Sequence, residues 1–170
     1  MDERKWIERI LAGDTQSFSC LVAKYEKMAY TIALRILENR EEAEEAVQDA
    51  FVKMYRALSD FHFDSKFSTW FYRIVYRTAL TALRQQRMFV SYEEAGPEDL
   101  SNDEVESATA LLEREDRKEM IARTLKKLPA DEALLLTLYY LEECSVEEIC
   151  QITELSASNV KVKLFRGRKR

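Results

Sequence analysis

Apolar residues recur at steps of three and four along most of the chain, which is the spacing of amphipathic helices. A short helix is predicted over residues 2–12, ending at Gly13. The apolar stripe of the next helix consists of Phe18, Leu21, Val22, Tyr25, Met28, Ala29 and Ile32, and that of the third consists of Ala43, Val47, Ala50, Met54 and Leu58. With only 3 glycines, 2 prolines and few alternating β-branched runs, the chain is predicted to be all-α.

Residues 91–108 interrupt this pattern with seven acids, no basic residue and a Gly-Pro pair. Such a composition is typical of a mobile linker. We therefore expect two small helical domains, residues 1–90 and 112–170, joined by a flexible acidic linker over 91–111. In the second domain, "LLEREDRKEMIARTLKKL" predicts an amphipathic helix that ends at Pro129, and "ADEALLLTLYYL" predicts a central helix.

The last 26 residues predict a helix-turn-helix motif. Ser145 and Glu148 form a capping-box pattern at the start of one short helix, and Ser156 can cap the next. The residues that pack these helices together are Ile149, Ile152, Leu155, Val160 and Leu164. Side chains suited to base edges are Ala157, Ser158, Asn159, Lys161, Val162 and Lys163, and those suited to phosphates are Ser156, Arg166 and Arg168. A helical hairpin with a basic tail is the alternative interpretation.

Charge is distributed unevenly along the chain, which carries 31 acidic and 26 basic residues. Residues 65–87 contain five basic side chains and no acid, and residues 161–170 contain six and no acid. The rest of the chain therefore holds only 15 basic residues against all 31 acidic ones. An acidic protein with two basic segments indicates two separate contacts with nucleic acid.

A helical projection of residues 67–87 collects the arginines on one side. At about 100° per residue, three of them lie within about 40° of Arg73, with Trp70 and Tyr76 on the flanks. This arginine face consists of Arg73, Arg77, Arg84 and Arg87, and the opposite apolar face consists of Phe67, Phe71, Ile74, Thr78 and Ala82. Guanidinium groups bind phosphates and aromatic rings stack on unpaired bases, so the pattern favours a single strand. A solvated basic face with aromatic anchors remains the alternative.

The sequence contains few residues or segments suited to catalysis, metal binding or membrane insertion. The chain has one histidine and three cysteines without a C-x-x-C pair, so we expect no metal site and no disulfide framework. Each cysteine is expected to be a buried small hydrophobe. No Gly-rich phosphate loop or nucleophile with a base is present, and we expect neither catalysis nor a cofactor. Without a secretory segment or a long apolar run, the protein is expected to be soluble and cytoplasmic, without membrane insertion.

Together these segments resemble the extracytoplasmic-function group of bacterial sigma factors over nearly the whole chain. "FDSKFSTWFYRI" is similar to the promoter-melting segment of that family, "EEAEEAVQDAFVKMYRAL" to its helix that binds the polymerase clamp, and "YYLEECSVEEI" with "LSASNVKVKLFRGR" to its −35-reading domain. The resemblance implies that core polymerase, through its clamp coiled-coil and flap, is a partner, as are promoter DNA and an anti-sigma factor. It assigns Glu41, Glu45, Gln48, Asp49 and Val52 to the polymerase.

The resemblance also implies that the first domain holds the unpaired −10 strand, with a base captured by the loop before the aromatic helix. The residues assigned to this strand are Phe61, His62, Lys66, Phe67, Ser68, Trp70, Arg73, Tyr76, Arg77 and Arg84. The linker is implied to run toward the RNA exit path, and the last helix to extend beyond Arg170 in the natural protein.

Several positions differ from the pattern of the family. Arg77 and Thr81 replace an asparagine and an aspartate that are common there, which leaves the captured base open. Glu154 replaces the usual glycine of the turn, so we expect that turn to be less tight or mildly strained.

Two functions are compared on these grounds. A sigma factor accounts for both basic segments and for the acidic helix at 41–58. A stand-alone helix-turn-helix regulator accounts for residues 145–170 but leaves the arginine face and the 45–52 surface without a role.

Overall fold

The structure is a computed structural model that describes residues 3–90, 125 and 127–170. All regular structure within these ranges is helical, as predicted. The linker predicted over 91–111, and nearly all of the helix predicted over 111–128, lie outside the described residues. The helices are α1 (Glu3–Leu11), α2 (Gln16–Leu37), α3 (Arg40–Ala57), α4 (Phe67–Val90), α5 (Ala130–Tyr140), α6 (Val146–Thr153) and α7 (Ala157–Lys169), with a single 3₁₀ turn at Leu58–Asp60.

Helices α2, α3 and α4 pack against one another, and α1 covers α2. Their core is rich in aromatic rings because α4 turns its apolar side inward, with Phe71 at its centre. The rings of Phe71 and Phe51 lie 4.8 Å apart, and Tyr25 approaches Phe71 edge-on at 6.0 Å. Edge-to-face and tilted pairs of this kind add to the energy of apolar burial. The core thereby fixes the direction of the arginines on the opposite side of α4.

Polar side chains satisfy backbone donors at the starts of α2 and α3. The Asn39 side chain accepts a hydrogen bond from the Glu42 backbone N–H at 3.1 Å, which starts α3. Asp14 accepts hydrogen bonds from the Gln16 N–H and the Ser17 hydroxyl at the start of α2. Capping oxygens of this kind satisfy backbone donors that have no partner within the helix.

Helix α5 is the centre of the C-terminal half, as its apolar sequence predicted. Residues 132–138 of α5 are all buried, and the helix contacts α2, α6 and α7. Gly167 of α7 is also buried against α5, since an added Cβ would lie 2.8 Å from Leu136 Cδ1. The glycine therefore permits a close approach of α7 to α5.

The two helical halves lie in contact. Helix α4 packs against α6, and α2 packs against α5. The Tyr72 hydroxyl donates a hydrogen bond of 2.8 Å to the Glu142 carboxylate across this contact. Tyr72 is buried here although it does not belong to the predicted apolar side of α4.

The cysteines differ in their surroundings. Cys144 is buried, and burial next to Glu148 and Glu142 raises the pKa of its thiol to about 11, so it stays protonated at neutral pH. Cys150 is half-buried. The expectation that every cysteine is buried is wrong for Cys20, which lies on the exposed side of α2.

Replacing Ser145 with Ala is expected to destabilise the C-terminal half by about 0.5–2 kcal/mol. Ser145 Oγ accepts from the Glu148 N–H at 3.1 Å, and the Ser145 N–H donates to the Glu148 carboxylate at 2.8 Å. The change would be measured by urea unfolding of the full chain, with Ser19→Ala, an exposed serine of α2, as the control. Equal unfolding curves for the two variants would show that the Ser145–Glu148 capping box contributes no stability.

Candidate functional site

The arginine face of α4 points to the surface. Arg73, Arg77, Arg84 and Arg87 are all exposed, while Phe71, Thr78 and Ala79 lie in the core on the other side of the helix. The separation predicted from the helical projection is therefore confirmed. Trp70 is half-buried, with its ring 5.0 Å from Phe61 and 5.6 Å from Phe67.

Two of the residues assigned to the unpaired strand are core residues. Phe61 is 6% exposed and Phe67 is 3% exposed, so neither ring offers a face to a base in this conformation. They pack against each other at 5.5 Å and support the loop between the 3₁₀ turn and α4. His62 and Lys66 are exposed, and Ser68 and Tyr76 are half-buried.

Phe63 is an exposed aromatic residue of the same loop that sequence reasoning missed. Its backbone adopts a left-handed conformation with φ of 61°, and its side chain is 41% exposed. The ring lies 4.8 Å from Phe61 and 5.0 Å from the Arg4 guanidinium carbon. In an extended segment the two phenylalanines of "FHF" would lie on the same side, so the sequence does not show that Phe61 is buried and Phe63 exposed.

Carboxylates from the C-terminal half approach the basic side chains of α4. Glu154 accepts a hydrogen bond from Arg77 Nε at 2.9 Å, and its Oε1 lies 3.8 Å from Arg73 Nη2. Lys66 Nζ lies 2.9 Å from the Glu148 carboxylate. The hydrogen bond and charge of Arg77, together with the charge of Arg73, lower the pKa of Glu154. Both arginine side chains remain about half exposed, at 45% and 53%, so these pairs lie at the surface.

Glu154 ends α6 in a left-handed conformation, with φ of 62° and ψ of 15°. This is the turn of the helix-turn-helix motif, where the sequence predicted a less tight or mildly strained turn. A left-handed conformation is unfavourable for a residue with a Cβ, which agrees with the second alternative. Ser145 caps α6 and Ser156 caps α7 through their hydroxyl oxygens, as predicted. Ile149, Ile152 and Val160 are fully buried between the helices, which confirms the packing expected for the motif.

Most of the residues predicted to contact duplex DNA are exposed on α7 or at its N-cap. The exposed residues predicted for base edges are Ala157, Ser158, Asn159, Lys161 and Val162, and those predicted for phosphates are Ser156, Arg166 and Arg168. Lys163 differs, because it is half-buried and pairs with the Asp131 carboxylate of α5. Arg168 lies over the rings of Tyr139 and Tyr140, at 5.3 Å from each centroid. In this conformation Lys163 and Arg168 therefore help to hold α7 against α5.

The surface that the resemblance assigned to the polymerase lies on one side of α3. All five residues, Glu41, Glu45, Gln48, Asp49 and Val52, are exposed. Val52 is 48% exposed and is followed by Tyr55 at 46%, so the acidic surface ends in an apolar patch. Ala43, Ala50 and Met54 on the opposite side of α3 are buried, which fixes the outward direction of the acids.

Within the described ranges, no cluster of three or more histidine, cysteine, aspartate or glutamate side chains is arranged to hold a metal ion. Among the same residues, no helix combines the length and the apolar character that crossing a membrane requires.

Comparison with known proteins finds two family matches on this chain. Residues 21–88 match sigma-70 region 2, and residues 118–170 match sigma-70 region 4. The RNA polymerase sigma-H factor of Pseudomonas aeruginosa is 32% identical over 173 residues, covering 98% of this chain and 90% of the relative. The ECF RNA polymerase sigma-E factor of Escherichia coli K12 is 31% identical over 169 residues, covering 95% and 88%.

Two solved structures share the fold. The sigma factor RpoE of Bartonella quintana, crystallised with the anti-sigma factor NepR, has a TM-score of 0.70 at 17% identity and covers 91% of this chain and 94% of that one. CnrH, solved in complex with the cytosolic domain of CnrY, has a TM-score of 0.63 at 22% identity, with coverages of 98% and 92%.

The two family matches fall on the two parts into which the sequence divided the chain. They confirm the prediction of a sigma factor over that of a stand-alone regulator, which leaves residues 21–88 without a role. The chain belongs to the sigma-70 family of RNA polymerase sigma factors, in its extracytoplasmic-function group.

Proposed function

We propose that the chain binds core RNA polymerase in the cytoplasm and gives it promoter specificity, without a catalytic activity of its own. The observation that carries the proposal is the presence, on one chain, of three separate exposed surfaces. They are the acidic side of α3, the arginine face of α4 and the outer side of α7. A transcriptional regulator that binds duplex DNA alone would use only the last of them.

Residues 1–90 are proposed to bind the polymerase clamp and the unpaired −10 strand. The acidic side of α3 suits a basic or polar partner helix, and Val52 supplies an apolar contact at its end. The arginines of α4 suit phosphates, and Trp70 supplies a ring at the edge of that face. For the captured base, Phe63 is the better candidate than Phe61, because its ring is the exposed one of the pair.

Residues 112–170 are proposed to read the −35 element as duplex DNA and to contact the polymerase flap. Ser158, Asn159 and Lys161 are exposed near the N-terminus of α7, and we propose that they contact base edges, because recognition helices read bases with their N-terminal residues. Arg166 is an exposed guanidinium further along α7 and suits a backbone phosphate. The linker over 91–111 joins the two parts.

An anti-sigma factor is the proposed regulatory partner. RpoE was crystallised with the anti-sigma factor NepR, and CnrH was solved with the cytosolic domain of CnrY. A protein that covers the exposed sides of α3 or α4 would compete directly with polymerase and promoter DNA.

Transcription with purified components tests the proposed function. Core polymerase with the full chain is expected to initiate on a genomic DNA library at start sites that share two upstream motifs. Core polymerase alone provides the control, since it should yield no such set. Failure of the folded chain to co-elute with core, together with tight unaided binding to duplex sites, would favour a stand-alone regulator instead.

A further inference from the structure

The basic side chains of α7 point in two directions, one toward solvent and one toward α5. Lys161 and Arg166 are exposed on the outer side of the helix. Lys163 follows Val160 by three residues and precedes Gly167 by four, and both of these are buried. Residues at such spacings are neighbours on the helix surface. The Lys163 side chain therefore leaves α7 at the edge that faces α5.

The partner of Lys163 is Asp131 in the first turn of α5. The Lys163 ammonium donates to one carboxylate oxygen of Asp131, and the other oxygen accepts from the Glu132 backbone N–H at 2.9 Å. Although partial burial opposes the effect, the hydrogen bond from Lys163 lowers the pKa of Asp131, so the pair is charged at neutral pH. At the same edge of α7, Arg170 Nε lies 3.7 Å from the buried Glu132 carboxylate.

Arg168 holds the opposite edge of α7. It lies about 140° around the helix from Lys163, and its guanidinium carbon is 5.3 Å from the ring centroids of both Tyr139 and Tyr140 at the end of α5. A cation over an aromatic ring is attracted by the negative face of the ring. The two contacts lie on either side of the buried stripe, so together they oppose rotation of α7 about its own axis.

We propose that Lys163 is a positioning residue rather than a contact to DNA, and that Asp131 determines −35 specificity through it from another helix. The pair fixes the rotation of α7, and with it the direction in which Ser158, Asn159 and Lys161 meet base edges. The inference rests on the proposed function, because it requires that α7 reads the −35 element.

Pairing with Asp131 also keeps the charge of Lys163 away from the phosphates. A lysine that reaches a phosphate strengthens binding to every sequence equally, because the phosphates carry no sequence information. Asp131 withdraws one such charge from the recognition helix while it restrains the orientation of that helix. Both effects favour discrimination between sequences over affinity.

The salt dependence of promoter binding separates the two roles of Lys163. Fluorescence anisotropy would measure binding of labelled promoter duplex by holoenzyme, formed from core polymerase and the full chain, at several salt concentrations. Each phosphate contact contributes about 0.9 to the slope of log K against log salt. We expect Lys163→Gln to leave the slope unchanged, whereas Arg166→Gln, at an outward position of the same helix, lowers it by about 1.

Replacing Asp131 with Asn removes the charge of the partner and keeps its shape. This change frees Lys163, and we expect the slope to rise by up to about 0.9. The preference for the promoter over a duplex with an altered −35 element is expected to fall about threefold, which is the scale of one partly exposed ion pair. Glu26→Gln removes an exposed acid of α2 and should change neither quantity. A slope lowered by about 1 in Lys163→Gln, or an unchanged preference in Asp131→Asn, would overturn the proposal.

Exchanging the two charges provides a second test. Lys163→Asp alone is expected to weaken promoter binding at least about tenfold, and adding Asp131→Lys should restore it to within about threefold of wild type. An aspartate at a position that touches DNA would repel phosphates whichever residue occupied position 131, so absence of recovery in a folded double variant counts against the pair. Thermal unfolding checks folding, because a lysine in the first turn of α5 opposes the helix dipole. Failure of the proposed function looks different: wild-type holoenzyme would not distinguish the promoter from the altered duplex.

Discussion

Reversing the charges of Glu45 and Asp49 to lysine is expected to weaken binding of the chain to core RNA polymerase by at least about 100-fold. Both carboxylates lie on the exposed side of α3, one helical turn apart. Like charges brought together in an interface cost several kcal/mol, and about 2.7 kcal/mol already corresponds to 100-fold. The affinity would be measured by fluorescence anisotropy of labelled chain titrated with core polymerase.

The control for this experiment reverses two exposed glutamates that lie off the same surface. Glu44 is the neighbour of Glu45 but points about 100° away around α3, and Glu26 lies on α2. Lysines at these two positions give the same net charge and are expected to leave the affinity within about twofold. Thermal unfolding should be similar for all variants, because none of these side chains is buried. Equal loss of affinity in both double variants would show that net charge, rather than the α3 surface, governs the interaction.

The sequence predicted the helices and their inward sides because these follow from local periodicity. The stripe of α3, for example, consists of residues that are all buried in the structure. The caps at Ser145 and Ser156 are local as well, since each satisfies donors within three residues of itself. The outward direction of the arginines then follows from the burial of Phe71 on the opposite side of α4.

Contacts between distant segments were not predictable in the same way. Tyr72 lies at the edge of the polar side of α4 in a projection, and it is buried because Glu142 and α6 cover it. The sequence predicts that Lys163 contacts a base, but in the structure it pairs with Asp131 of α5. Which of Phe61 and Phe63 is exposed depends on the path of the loop. This segment is too short and irregular for its apolar pattern to predict that path. In each case the packing partner is far away in the sequence. The apolar pattern of one helix therefore does not predict the contact.

The arginine face of α4 leads to the second large effect. Replacing Arg73 and Arg84 with alanine is expected to reduce promoter opening by the holoenzyme by at least about 100-fold. Each lost hydrogen bond between a guanidinium and a phosphate is worth about 1.5–3 kcal/mol, so two such losses exceed that factor. Both side chains are exposed on one side of the helix, and neither contributes to the core. Permanganate reactivity of thymines near the start site would measure the opening directly.

The loss must be separated from defects in assembly and from a general change in charge. Lys5→Ala with Lys27→Ala removes two exposed positive charges from α1 and α2 and is expected to leave opening intact. Native gel analysis should show normal assembly of both double variants with core polymerase, because the α3 surface is unchanged. Normal opening by the Arg73 and Arg84 variant would therefore exclude the arginine face as the surface that holds the unpaired strand.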